Sequence, residues 1–133
     1  MTKLQDVYGV FDPQHDAAAA IKFAVIVMLM DRRLRDLSQL LTDGHEVATI
    51  GGEPGWEIER RDENVADASY YADWPRDARF RVRIDPEEYS LAYPEMFLDK
   101  PSFYNYIKKA LNVYVAENSS EAEEFKKISS LLL

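Results

Sequence analysis

The stretch "AAAAIKFAVIVMLM", residues 17–30, is the most apolar in the chain, and its reading decides the fold. A membrane span needs about 20 consecutive apolar residues. Here Asp16 and Asp31 bracket only 14, and Lys22 interrupts them. A buried strand competes more seriously, because "FAVIVMLM" is rich in β-branched residues and has no internal breaker. Periodicity beyond the run settles the choice. Ala20, Phe23, Val27, Met30, Leu34, Leu37 and Leu41 follow one another at alternating steps of three and four, while Asp31, Arg32, Arg33, Arg35 and Asp36 fall off that stripe. A helix accounts for both halves; a strand accounts only for the first.

The ends of this helix are marked. Asp12-Pro13 offers an N-cap with proline at the first helical position, Asp16 offers a later start, and Gly44 suits the residue after the C-cap. A helix over 13–43 would be about 46 Å long, against a radius of gyration near ~14 Å for a domain of this size. A later start or a kink is therefore expected. The same stripe resembles a short coiled-coil seam, so self-association through it stays open.

Residues 45–88, "HEVATIGGEPGWEIERRDENVADASYYADWPRDARFRVRIDPEE", change period. "VATI" or "WEIE", then "SYYADW", then "ARFRVRI" read as strands, the last alternating Ala78, Phe80, Val82 and Ile84 with Arg79, Arg81 and Arg83. "GGEPG" and "RDEN" break the chain between them. Residues 5–11 offer a further strand. Asp85-Pro86-Glu87-Glu88 begins one helical turn, and "YSLAYPEMFLDKP" is a short aromatic turn broken by Pro94 and Pro101. Phe103, Ile107, Ala110, Leu111 and Tyr114 give the apolar face of a helix over about 102–117, and a capping box at Ser120 and Glu123 opens a last helix on Ala122, Phe125, Ile128 and Leu132. The expected fold is α+β: a small antiparallel meander packed against a long N-terminal helix, with two C-terminal helices, in a single domain over 1–133.

The 133 residues include no cysteine, which excludes disulfides, thiolate metal sites and thiol nucleophiles. Acids at the start, where a secretory signal would be basic and apolar, point to the cytoplasm. The net charge is −8. Most of the excess falls in 45–75, where Glu46, Glu53, Glu57, Glu59, Asp62, Glu63, Asp67 and Asp73 face only Arg60 and Arg61. Such a field repels nucleic acid and anionic membranes and attracts basic proteins. A solvated acidic loop region is the competing reading.

No catalytic constellation stands out. His15 and His45 each precede or neighbour an acid and lie off the apolar stripes, with no metal-binding spacing. "GGEPG" carries Glu53 where a phosphate loop would carry a lysine, so it reads as a turn. Glu57/Glu59 and Glu87/Glu88 are nominal carboxylate pairs without a cleft signal. "RFRVR" has the arginines of a nucleic-acid platform, but they suit pairing with Glu57 and Glu59 across a sheet better. The expectations are no enzyme activity, no cofactor and no metal.

Aromatic residues beside acids suit a protein-binding surface, where a rigid ring anchors and carboxylates steer. "DASYYADW" combines both within the acidic third, so Tyr70, Tyr71 and Trp74 are the expected anchors, with Glu53, Glu57, Glu59, Asp62, Glu63, Asp67 and Asp73 around them. The tail "YPEMFLDKPSFYNYIKKALNVYVAENSSEAEEF", with its proline-broken aromatic turn and two capped helices, looks like the C-terminal halves of bacterial immunity proteins, and the overall profile resembles that group, the antidotes of polymorphic toxins such as contact-dependent inhibition effectors. The resemblance implies stoichiometric binding to one toxin domain, often a nuclease with a basic surface. It carries over no functional residue. A non-catalytic adaptor domain, joining a complex through the long helix or the aromatic turn, is the alternative.

Overall fold

A computed structural model describes residues 3–53, 55–64 and 68–133. The fold is α+β. Four antiparallel strands, β1 (Thr49–Gly52), β2 (Trp56–Arg60), β3 (Phe80–Ile84) and β4 (Glu95–Leu98), form a sheet in the order β1-β2-β3-β4. Four helices accompany it: α1 (Ala19–Met30), α2 (Leu34–Leu40), α3 (Lys100–Glu117) and α4 (Ala122–Leu131). α1 packs on β3 and α3, while α2 packs on α4 and β1.

The long helix is two helices. Its start is late, as the length argument requires: Asp16 Oδ1 accepts the Ala18 N–H at 2.8 Å, and helical bonding follows from Ala19. It then breaks after Met30. Arg32 N–H donates to Leu29 O at 3.0 Å and Arg33 N–H to Met28 O at 3.1 Å, with Arg32 left-handed at φ 58°. That is a Schellman termination, which usually places glycine at the left-handed position. An arginine there costs the backbone about 1–2 kcal/mol and hides the break from a reader looking for Gly44.

The break also shifts the phase of the stripe. In α1 the fully shielded residues are Ala19, Ala20, Ile21, Ala24, Val25, Met28 and Leu29, whereas Phe23 and Val27 are only half-buried and Met30 is exposed. In α2, Leu34, Leu37 and Leu40 are buried, as is Leu41 beyond it. The continuous seam from Ala20 to Leu41 is thus corrected: the left-handed residue resets the rotation between two separate inner faces.

Both "VATI" and "WEIE" supply strands, joined by the expected turn, which Gly55 closes by donating its N–H to Gly52 O at 2.8 Å with φ +97°. "SYYADW" is not a strand. Ala68–Tyr71 form a 3₁₀ turn, β2 pairs directly with β3, and the fourth strand is β4 on the far side of β3, from the segment read as an aromatic turn. Pro94 and Pro101 bound that strand rather than break it: Pro94 O accepts the Ile84 N–H at 2.8 Å, and Pro101 sits in the first turn of α3. Residues 5–11 add no strand; Leu4–Asp6 form a 3₁₀ turn, and the Tyr8 hydroxyl donates to Tyr106 O at 2.6 Å. Asp85 starts a single turn, accepting the Tyr89 N–H at 3.0 Å.

α3 begins at Lys100, two residues before the expected 102, with Asp99 Oδ1 accepting the Ser102 N–H at 2.9 Å. Its five expected core residues are all buried. Phe103 stacks on Phe80 of β3 with ring centres 3.9 Å apart and planes 11° from parallel. The capping box at Ser120 does not form: Ser119–Glu121 make a 3₁₀ turn, and Glu121 accepts the Tyr114 hydroxyl.

One charged side chain sits inside this core. Arg60 is 3% exposed on the inner face of β2. Its Nη1 donates to the carbonyls of Gln39, Leu40 and Val47 at 3.0, 2.7 and 3.3 Å, its Nη2 to His45 O, and its Nε to Asp62 Oδ1 at 2.6 Å. A guanidinium has the donors to serve the unpaired carbonyls at a helix end and a neighbouring loop together. Arg60 thereby ties the end of α2 and the loop before β1 to the sheet.

Candidate partner-binding surface

The helices pack on the inner face of the sheet, against Ile50, Ile58, Phe80, Val82, Ile84 and Leu98. The opposite face carries the charge. Register sets Glu57 opposite Arg83 and Glu59 opposite Arg81, the cross-strand arrangement expected if β2 and β3 were neighbours. Arg81 Nη1 lies 3.4 Å from Glu59 Oε1, and its Nε lies 2.9 Å from Glu95 Oε2 on β4.

The segment between β2 and β3 folds over one end of this outer face. Tyr70 meets Tyr71 edge-on at 4.7 Å, Tyr71 meets Trp74 at 5.0 Å, and Trp74 meets Phe97 of β4 at 5.2 Å. Arg61 lies over the Tyr71 ring at 5.4 Å. The stack descends from solvent into the protein: Tyr70 is 57% exposed and Trp74 only 9%. Trp74 is therefore a buried support against Phe97, not a free anchor, and Tyr70 and half-buried Tyr71 present the aromatic surface. Hydrogen bonding of the Tyr70 hydroxyl to Glu59 raises its pKa, and the carboxylate's charge adds to the shift.

The acidic residues divide by role. Glu59 is 7% exposed and committed to Arg81 and Tyr70. Asp62 is committed to Arg60 and to the Gly44 N–H at 2.7 Å. Desolvation opposes ionisation of Asp62, but these hydrogen bonds outweigh it and hold the carboxyl below the usual range. Both residues serve the fold before any partner. Glu63 reaches Lys100 at 3.8 Å from an exposed position. Glu53 and Asp73 are exposed and Glu57 is half-buried, and none of the three makes an ion pair among the described residues. Asp67 lies outside the described residues.

The fold adds acids that lie distant in the chain. Asp85 N–H donates to Gly55 O at 2.8 Å, which seats the Asp85–Glu88 turn against the β1–β2 hairpin. A Cβ at Gly55 would stand 2.9 Å from Asp85 Cβ and 3.0 Å from Glu88 Cγ. Glu57, Arg83 and Asp85 line a shallow cavity of about 300 Å³ there. The outer face thus has two stations, an acidic one at the hairpin and an aromatic one under Tyr70 and Tyr71. They meet β2 at successive outward positions, Glu57 and Glu59, about 7 Å apart. Asp85 and Glu88 are invisible in the sequence as neighbours of Gly55 because only strand register brings them together.

His15 bonds exposed Asp12, and His45 Nδ1 accepts the Val47 N–H at 2.9 Å. Among the described residues no group of three or more His, Asp or Glu side chains is placed to hold a metal ion, and no helix is long and apolar enough to cross a membrane. The chain matches no protein-family model, no curated protein and no solved structure.

Proposed function

We propose that this protein is an immunity protein: a non-catalytic antidote that binds one cognate bacterial toxin domain and covers its basic surface, in the cytoplasm of the cell that makes it. The observation that carries the reading is the outer face of the sheet. None of α1 to α4 covers it, and it carries Glu57, which makes no ion pair among the described residues, with Glu53 in the adjoining hairpin turn, Asp73 in the aromatic segment and exposed Tyr70. Carboxylates of this kind accelerate encounter with a basic cleft such as that of a nuclease. Aromatic side chains buried on docking slow release. Trp74 and Phe97 hold the two tyrosines in place beforehand, which lowers the ordering cost of binding.

The test is calorimetric titration against the toxin domain encoded immediately upstream, at low and high salt. One-to-one binding at nanomolar Kd or tighter, weakening as salt rises, is the expected result. No detectable heat or complex at low salt removes the proposal and leaves the adaptor reading in its place.

A further inference from the structure

The sheet has two edges, and they are finished differently. β1 and β4 are four residues each, so length does not separate them. β4 is blunted: Pro94 precedes it, Glu95 holds Arg81 at 2.9 Å, and Phe97 packs against Trp74. β1, Thr49-Ile50-Gly51-Gly52, has neither a charge nor a proline. Ala48 O accepts the Arg60 N–H at 2.7 Å, and this bond, with the register, fixes the alternation. Ala48, Ile50 and Gly52 turn their backbone groups to β2, while Thr49 and Gly51 turn theirs away from the sheet. Among the described residues none of these outward N–H and C=O groups has a hydrogen-bond partner.

The charges beside this edge say what it accepts. Exposed Glu46 comes shortly before β1 and exposed Glu53 directly after it, and Glu57 stands opposite Gly51 on β2. None of the three makes an ion pair among the described residues. The cations nearby are accounted for. Arg33, whose Nη1 approaches Gly52, pairs with Asp31 and Asp36, and Arg83 faces Glu57 from β3, on the side away from the edge. Gly51 leaves the way from the edge to Glu57 clear, and no side chain is tolerated there, because a Cβ would stand 2.7 Å from Trp56 O. A strand added to β1 lies about 10 Å from β2, which a lysine or arginine side chain together with that of Glu57 can span.

We infer that the partner adds an extended, basic strand to β1: its main chain bonds the outward groups of Thr49 and Gly51, and its lysine or arginine opposite Gly51 reaches the Glu57 carboxylate. In such strand addition main-chain bonds supply affinity and side-chain contacts supply selectivity. The inference rests on the immunity reading, in which that partner is the toxin domain, and it gives the hairpin end of the outer face a fifth strand.

The test is residue-resolved amide exchange of the full chain, alone and with the toxin domain encoded upstream, together with calorimetry of Thr49→Pro. Strand addition predicts a period of two: Thr49 and Gly51 slow by about tenfold or more in the complex, while Ile50, already turned to β2, changes least. Thr49→Pro deletes an outward N–H that β2 does not use, so the Tm should stay near that of wild type while Kd rises about tenfold. If that variant folds poorly, the exchange pattern of the wild-type chain decides alone. Binding in which Thr49 and Gly51 exchange as fast as in the free chain, or a folded Thr49→Pro at wild-type affinity, overturns strand addition and leaves the immunity reading intact. No binding by wild type overturns both.

Discussion

On the inner face of the sheet Ile58, Val82 and Ile84 are wholly shielded, and the one charge among them, Arg60, has each guanidinium nitrogen hydrogen-bonded. On the outer face of the same strands Glu57 and Arg83 meet solvent, and shielding extends only over Glu59, Arg81 and Trp74 beneath the aromatic segment. One alternation of residues builds both faces, yet they differ in how fully each polar group is satisfied. Inside, the guanidinium is consumed in holding the fold, and the buried Trp56 Nε1 finds no hydrogen-bond partner among the described residues. Outside, the Glu57 carboxylate makes no ion pair among the described residues, and the Tyr70 ring is exposed while its hydroxyl bonds Glu59.

The largest expected effect lies inside. Arg60→Met strands the Asp62 carboxylate and the carbonyls at the end of α2, and should cost about 3–5 kcal/mol in a denaturant titration. A cost below ~1 kcal/mol would mean that water replaces the guanidinium at no penalty, and the inner face would lose its distinction. Next comes a pair of aromatic truncations. Phe103→Ala removes a fully buried ring stacked on Phe80 and should cost about 3–5 kcal/mol. Trp74→Ala, from the outer stack, should cost about half as much, although tryptophan is the larger side chain. Equal losses would show that the outer cluster is a second core and would break the comparison.

Two tyrosine–carboxylate pairs sharpen it further. Desolvation, then the bond to Glu121, pushes the Tyr114 pKa up to about 12, while on the outer face Tyr70 is raised chiefly by its bond to Glu59. A group whose folded pKa lies above its unfolded value, near ~10 for tyrosine, stabilises fully below that value and loses its contribution as pH rises through the folded one. Stability should therefore fall between about pH 10 and 12, and Tyr114→Phe should flatten that fall more than Tyr70→Phe. Absorbance of tyrosinate alongside chemical denaturation reads both. The smallest effect on stability belongs to Glu53→Gln with Glu57→Gln, within about 0.5 kcal/mol. The same pair should slow association with a basic partner and reduce its salt dependence.

The sheet and its partners were legible where period and charge agreed. β3 announces itself by alternation, and the pairing of Glu57 and Glu59 with Arg83 and Arg81 follows from placing acidic and basic strands side by side. The two C-terminal helices follow from their apolar spacing, although in the last one only Ile128 and Leu132 of the expected inner face are buried, with Phe125 half-buried and Ala122 exposed. What escaped did so for physical reasons. The break at Arg32 uses a left-handed arginine, and propensity points to glycine. β4 is four residues between prolines, too short for a period to declare itself. "SYYADW" has strand composition, but its rings stack on one another and on Phe97 instead of pairing across a ladder. For the candidate surface, local composition found the acids and tyrosines. It missed that Trp74, Glu59 and Asp62 are spent inside the fold, and that the Asp85–Glu88 turn joins the hairpin.

The central claim is that the outer face of the sheet docks the partner, and amide hydrogen exchange of the protein with and without the upstream toxin domain tests it most directly. Slowed exchange confined to β1 and its hairpin at 49–55, to 61–63, to 68–74 and to the 85–88 turn is the predicted footprint. Protection falling instead on α1, α3 or α4, with those segments unchanged, would contradict it.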